Sequence, residues 1–349
     1  MTDVLLLAPS RGFGGGIERY VDSIETALRT AGARPARLDL HEGARQGTFS
    51  AHKSIYWRVR SHLGTSKVPT RLLVAHVSLL PAALAASRHR SVTGVTVILH
   101  GSEIWSPMRR RAVQHLLRRS DVRTVAVSGF SAGALYPLTC ASVLRPGLSR
   151  AWFDLLSAAG ETPREQHDGL RMTTSFRLSD WESKGLPDLV EAIRLTGRTD
   201  IQLTVCGSGT VPVELRRLID ETAFCSLRAN LPDAELAEQF AAADLFVLAT
   251  RLQKAPTSSG EGFGLVLIEA QLAGTPVVGP AFGGSSDAFR AGITGASPVD
   301  HSADALARVI NDLTTDRFRL TSMGQAAAAW AREEFNPDRY AALACARLL

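Results

Sequence analysis

The chain has 349 residues, 45% of them hydrophobic and 21% charged, with a net charge of +5. That composition describes a soluble globular chain with apolar material for two cores rather than one. No uninterrupted apolar run of about 18 residues marks a membrane-spanning helix. The opening "MTDVLLLAPS" lacks a basic region and reads as a first strand, not a signal peptide. Cys140, Cys206, Cys225 and Cys345 are scattered without a CxxC pair, so a reduced, cytoplasmic setting with inert thiols is expected.

Charge is unevenly spread. Residues 1–160 hold 21 Lys and Arg against 9 Asp and Glu, a net +12, and the remainder holds 18 against 25, a net −7. A basic first half suits an anionic acceptor or a lipid surface, or is simply a well-solvated arginine-rich surface. Nucleic acid is not expected as a partner.

In chain order, "DVLLLAP", "RLLVAHV", "VTVILHG" and "VRTVAVS" are short apolar runs closed by turn residues, and they predict strands. Between them, "GIERYVDSIETALRTAG" places Ile17, Val21, Ile24 and Leu28 on one helix face, with Gly32 as the stop signal. Two further segments, "KSIYWRVRSHLG" and "SPMRRRAVQHLLRRSD", mix cations with Tyr56, Trp57, Val113, Leu116 and Leu117. They are read as surface helices that pack their apolar faces on a sheet. Peripheral membrane contact is the less favoured alternative.

At "SAAGETPREQHDG", residues 157–169, apolar periodicity stops, and an interdomain linker is predicted there. The alternation then restarts with the strand "LRMTTSF" and the helix "GLPDLVEAIRLTG", with Pro187 near its start. "DIQLTVCG", "DLFVLAT" and "TPVVGP" are further strands, and "DAELAEQFAAA" and "GLVLIEAQLAG" further helices. The expected fold is α/β: two doubly wound, Rossmann-like domains, 1–160 and 161–333, with a final helix over about 334–349 packing back on the first. Ligands in such folds sit beyond the carboxyl ends of the strands. That rule singles out Gly14–Gly16, His100, Arg177, Gly207 and Glu261.

The N-terminal glycines fail as a dinucleotide fingerprint. From Gly12 the third glycine of GxGxxG would fall on Ile17, and from Gly14 on Arg19. What remains at Gly15 and Gly16 is a stretch of backbone N–H groups that opens a helix and suits an anion.

The segment "SSGEGFGLVLIEAQLAGTPVVG" carries more. Glu261 and Glu269 are separated by seven residues, and Gly262 and Gly264 flank Phe263 where a helix begins. Amides at Gly264 and Leu265 are placed to receive a phosphate. Glu269, about a turn in, is placed to accept from ribose hydroxyls, and Glu261 to meet the sugar beyond the phosphates. Arg177 and Lys184, the latter one of four lysines, flank a strand–helix loop where two cations can neutralise a diphosphate leaving group. His100 closes the strand "VTVILH". No DxD motif and no cluster with metal-ligand spacing is present, so neither a metal nor another cofactor is expected.

This stretch resembles the E-x7-E signature of the retaining glycosyltransferases of family four, which have the GT-B fold, with two domains facing across a cleft. The resemblance extends to "GGGIERYV", "HGSE", "VAVSGFSAGAL", "SFRLSDWESKGLPDLVEAI" and "GGSSDAF" followed by "GITG". Departures are Pro146-Gly147-Leu148-Ser149 where the family has N-G-V-D, Phe176 in place of a glycine, and a longer segment before Glu261. The resemblance implies metal-independent transfer of a sugar from a nucleotide-diphosphate donor to a small-molecule, glycan or lipid-linked acceptor. His100, Arg177, Lys184 and Glu261 would be catalytic. Gly15, Gly16, Gly207, Gly262, Phe263, Gly264, Leu265 and Glu269 would bind the donor, and Glu103 is a candidate to orient the acceptor. A sugar-nucleotide epimerase of the same fold and a non-catalytic sugar-nucleotide-binding subunit are the alternatives.

Overall fold

The computed structural model describes residues 3–12, 15–42, 48–66, 68–101, 107–118, 122–136, 141–163, 167–252 and 260–349. Its contacts divide the chain into two units, Met1–Ser149 with Pro337–Leu349, and Arg150–Asn336.

The first unit runs β1 (Asp3–Arg11), α1 (Gly16–Thr30), β2 (Arg34–Glu42), α2 (Thr48–Thr65), β3 (Thr70–Val74), α3 (Leu80–Ala86), β4 (Val92–Leu99), α4 (Pro107–Leu117), β5 (Val122–Ala126), α5 (Gly129–Gly133) and β6 (Ser142–Val143). Its parallel sheet has the order β2-β1-β3-β4-β5-β6. Val4 to Ala8 are all buried, as a parallel strand covered on both faces requires. In α1 the buried Tyr20, Val21, Ile24, Ala27 and Leu28 follow helical spacing. In α2, Ala51, Ile55, Val59 and Leu63 enter the core at four-residue intervals while Trp57 is 59% exposed. The basic helix thus spends its apolar stripe on the sheet.

The second unit runs α6 (Arg150–Glu161), β7 (Leu170–Arg177), α7 (Leu186–Leu195), β8 (Ile201–Ser208), α8 (Val213–Asp220), β9 (Cys225–Ala229), α9 (Asp233–Ala241), β10 (Leu245–Val247), α10 (Leu265–Leu272), β11 (Val277–Val278), β12 (Gly295–Ala296), α11 (Ala303–Thr314) and α12 (Arg317–Glu334). Its parallel sheet has the order β12-β11-β10-β7-β8-β9. The second unit begins at Arg150, not at 161. α6 buries Trp152, Phe153 and Leu156 and packs on α9 and α10, so the stretch read as the start of a linker is still helix to Glu161. A Cβ on Gly160 would lie 2.8 Å from the Ala273 backbone, which is how closely α6 meets the end of α10.

The last helix, α13 (Pro337–Leu348), lies in the first unit, against α1. Tyr340 is buried there, and a Cβ on Gly147 would lie 2.5 Å from its ring. Thr96 Oγ1 on β4 donates to the Leu348 carbonyl at 2.9 Å. Burial pushes the Tyr20 and Tyr340 hydroxyls above the usual phenol range. No helix among the described residues is long and apolar enough to cross a membrane.

Each sheet has a switch point, where the strand order reverses. In the first unit it falls between β1 and β3, and in the second between β7 and β10. The carboxyl ends of these pairs are where a doubly wound sheet receives its ligand.

Candidate functional site

In the second unit, the loops after β7, β10 and β11 converge on one glutamate, Glu261. After β7 a short 3-10 turn, Leu178–Asp180, is followed by Lys184, whose amide donates to the Asp180 carbonyl at 2.9 Å. Gly185 then caps α7 in the left-handed region at φ 73°, and a Cβ there would stand 2.0 Å from the Ala249 carbonyl oxygen. Only glycine lets the loop dock this tightly on the segment after β10. The docking is reinforced by the Arg251 amide, which donates to the Ser183 carbonyl at 3.1 Å, and by an ion pair between Arg251 and Asp188.

The result is that Lys184 Nζ reaches Glu261 Oε2 at 2.9 Å, and Thr250 Oγ1 donates to the same oxygen at 3.0 Å. The side chains are only 25% and 12% exposed for Lys184 and Glu261, so the pair is shielded from most solvent screening. From the third loop, the Gly284 amide donates to the Glu261 carbonyl at 2.8 Å. Both carboxylate contacts fall on Oε2.

Glu269 has a different setting. It lies one turn into α10, whose buried residues run from Leu267 to Leu272, and it is itself only 6% exposed. Its Oε1 accepts the indole N–H of Trp152 at 2.9 Å. Gly264 caps α10 at φ 83°, in the left-handed region, and Leu265 is the first helical residue. The first amides of a helix have no intrahelical partner, so this end presents backbone donors. Phe263 is 3% exposed and packs edge-to-face with Phe335 at 6.2 Å, so its side chain belongs to the core and only its backbone can meet a ligand. Gly262 is half-buried between Glu261 and this ring.

Arg177 stands exposed at the end of β7, in register with Ser208 of β8. Gly207 pairs with Phe176, and a Cβ on it would lie 2.2 Å from the Phe176 carbonyl oxygen. The turn after Gly207 is held by Asn230, the one non-glycine with positive φ (55°) among the described residues. The Asn230 amide donates to the Gly207 carbonyl at 2.7 Å, its Oδ1 accepts from the Gly209 amide at 2.8 Å, and its Nδ2 donates to the Gly209 carbonyl at 3.1 Å. Asparagine tolerates this backbone because its short amide bonds locally.

The family model for Glycosyl transferases group 1 matches residues 171–330, which span every one of these second-unit groups except Trp152 and Phe335. The matched segment belongs to this family. It is 28% identical over 94% of its length to a GDP-mannose-dependent alpha-(1-6)-phosphatidylinositol monomannoside mannosyltransferase of Mycobacterium tuberculosis, 93% of which is covered. It is 30% identical to a D-inositol 3-phosphate glycosyltransferase of Pseudarthrobacter chlorophenolicus, over 71% of this chain and 61% of that one. Among solved structures, a sucrose-phosphate synthase from Thermosynechococcus elongatus superposes with a TM-score of 0.78 at 18% identity, covering 98% of this chain and 97% of that one. Anabaena HepE in complex with UDP and glucose superposes with a TM-score of 0.74 at 18% identity, covering 99% of each chain. These likenesses establish the GT-B fold.

The glycosyltransferase's first unit holds the remaining candidates. His100 follows β4, and its Nε2 lies 2.7 Å from the Ala75 carbonyl. A carbonyl only accepts, so Nε2 carries a proton and is the donor of this bond. The ring meets Tyr20 edge-on at 5.6 Å and stacks with His76 at 6.2 Å. Gly15 caps α1 at φ 106°, and a Cβ on Gly16 would meet nothing within 4 Å. The Gly12 amide is taken by the Glu18 carboxylate. Gly14 and Glu103 lie outside the described residues.

The sequence pattern named Lys184 and Glu261 but not Thr250, Asn230 or Trp152. Thr250 carried a usable signal, as the last residue of the predicted strand "DLFVLAT" at the switch point. Asn230 and Trp152 carried none, because their partners are distant in sequence.

Proposed function

We propose that this glycosyltransferase moves a sugar from a nucleoside-diphosphate donor to an acceptor hydroxyl with retention of anomeric configuration and without a metal ion. The observation that carries the reading is the convergence of Lys184, Thr250 and Glu261 at the β7/β10 switch point, on the loop that begins at Arg177. Arg177 and Lys184 receive the donor diphosphate, and the amides at Gly264 and Leu265 add to it. Positive charge fixed there favours the state in which the leaving diphosphate gains charge. Glu261 meets the sugar hydroxyls and Glu269 the ribose. In the first unit, Gly15 and Gly16 bring bare backbone to the diphosphate and sugar, and His100 contacts the donor sugar.

The reaction is front-face. The bond from the anomeric carbon to the diphosphate oxygen breaks, the acceptor oxygen bonds to that carbon on the same face, and the acceptor's proton passes to the departing diphosphate. The second unit is accordingly the donor domain and the first the acceptor domain. Relatives named for phosphatidylinositol monomannoside and inositol 3-phosphate support a glycolipid or inositol-type acceptor over a polysaccharide or natural product, and a GDP-sugar heads the donor candidates.

A thermal-shift panel of UDP-, GDP-, ADP- and dTDP-sugars tests the donor reading, with a rise in melting temperature expected for one base. Transfer in excess EDTA, with the product anomer read by NMR, tests the rest. A flat panel defeats the donor assignment, and activity lost in EDTA and restored by a divalent ion defeats the metal-free one.

A further inference from the structure

An ionisable side chain in the middle of α10 is out of place energetically. Its neighbours Leu267, Ile268, Ala270 and Leu272 are buried, and a carboxylate among them is costly unless it is hydrogen-bonded. A leucine would pack there at no such cost. Glu269 is kept, and it is kept with a buried donor: Trp152 Nε1 at 2.9 Å, from a residue that is itself 6% exposed. The indole N–H is donor only, so the direction of this bond cannot reverse. Trp152 sits near the start of α6, which packs along α10, and α6 is tied down in turn by Arg332, whose Nη2 donates to the Ser157 carbonyl at 2.9 Å. The donor therefore comes from a rigid helix and not from a loop.

We propose that Trp152 is a positioning residue for the donor nucleotide: its indole N–H fixes the Glu269 carboxylate in the orientation that receives the ribose hydroxyls. The proposal rests on the reading of the second unit as the donor domain. A carboxylate gripped by a buried ring loses little rotational freedom when a ligand arrives. Trp152 thereby sets how strongly the enzyme distinguishes a ribonucleotide from its deoxy counterpart, without itself touching the ligand.

The test uses the full chain and calorimetric binding of GDP, UDP and ADP, each beside its 2′-deoxy form. Wild type is expected to bind the ribo form of its base about tenfold more tightly, as one good hydrogen bond to a charged acceptor provides. Glu269→Gln sets the reference for a lost carboxylate. Trp152→Phe keeps an aromatic ring and removes the donor, and the ribo/deoxy ratio should fall by about threefold or more. Trp152→His loses the benzo ring but places Nε2–H at the same bond distance from Cβ, and the ratio should stay near wild type. A purely packing role predicts the opposite order, with phenylalanine benign and histidine damaging. A partly unfolded population lowers the binding stoichiometry and not the ratio, so impaired folding does not mimic the effect. A wild-type ratio in Trp152→Phe overturns the proposal. Wild type that binds a diphosphate without ribose preference overturns the role of Glu269 and the proposal with it, whereas no binding of any diphosphate overturns the donor reading itself.

Discussion

The two sheets end in glycine-rich loops for different physical reasons. In the second unit, a Cβ on Gly185, Gly207 or Gly283 would lie 2.0, 2.2 or 2.7 Å from the carbonyl oxygens of Ala249, Phe176 and Glu261. In the first unit, a Cβ on Gly12 or Gly16 would meet nothing within 4 Å. Glycine at these three second-unit positions lets loops pack on one another, and at Gly185 that packing brings Lys184 to Glu261. Glycine in the first unit leaves space that no part of the described chain fills. The same residue is thus a packing device at Gly185, Gly207 and Gly283 and an opening at Gly12 and Gly16.

The largest expected effect tests what the packed loops are for. Lys184→Ala or Arg177→Ala should lower turnover about a hundredfold or more while the melting transition survives, because each removes a fixed cation from the developing diphosphate charge. Near-normal turnover in both would mean that these loops converge for stability alone. Next comes the packing itself. Gly185→Ala places a Cβ against a backbone oxygen at positive φ and should destabilise the chain by about 2 kcal/mol in urea unfolding. An unchanged midpoint would show that the loop relaxes freely. Gly16→Ala is the counterpart. It stands at the first position of α1 with open space around it, so stability should hold or rise slightly. Turnover should nevertheless fall about tenfold if a ligand uses that space. Unimpaired turnover would show that no ligand uses that space. A smaller effect is expected from Thr250→Val, which deletes one of two hydrogen bonds on Glu261 Oε2. A loss of about fivefold, restored by Thr250→Ser, fits one hydrogen bond to a charged group. A loss that serine does not restore would assign Thr250 to packing.

Most of the architecture was legible because buried parallel strands are continuous apolar runs. β1, β3 and β10 announce themselves in this way. The edge strands β2 and β9 do not, because one side of each lacks a neighbouring strand and their residues are largely half-exposed. In β2 the buried side chains are partly ionic, Arg37 holding Asp39 at 2.7 Å with each only 2% exposed, a pattern that no hydropathy reading marks as core. At the site, Glu261, Lys184 and Glu269 were legible through local spacing. What positions them was not. Thr250 is 11 residues from Glu261 and Trp152 is 117 from Glu269, and only the sheet order joins them. The boundary read at 160 falls on the last turns of α6 for a related reason. "SAAGE" is weakly apolar, and its membership in the second unit is decided by Trp152, Phe153 and Leu156 further upstream.

The smallest effect separates the two units by pH. In the second unit, burial pushes the Cys206 and Cys225 thiols up to about 12. An unfolded thiol titrates near about 8.5, so above that pH the unfolded chain loses protons that the folded unit keeps. The contribution of these groups is complete below the unfolded value and is lost as pH rises toward 12. In the first unit the groups displaced in the same direction are Tyr20 and Tyr340, whose unfolded value is near about 10. Alkaline loosening should therefore begin in β8 and β9 between pH about 9 and 10, before it reaches α1 and α13. Hydrogen exchange by mass spectrometry, corrected for intrinsic rates, reads both regions in one sample. Loss of protection in α1 and α13 first, or the same early onset in a Cys206→Val, Cys225→Val double variant, would show that the thiols do not set the order.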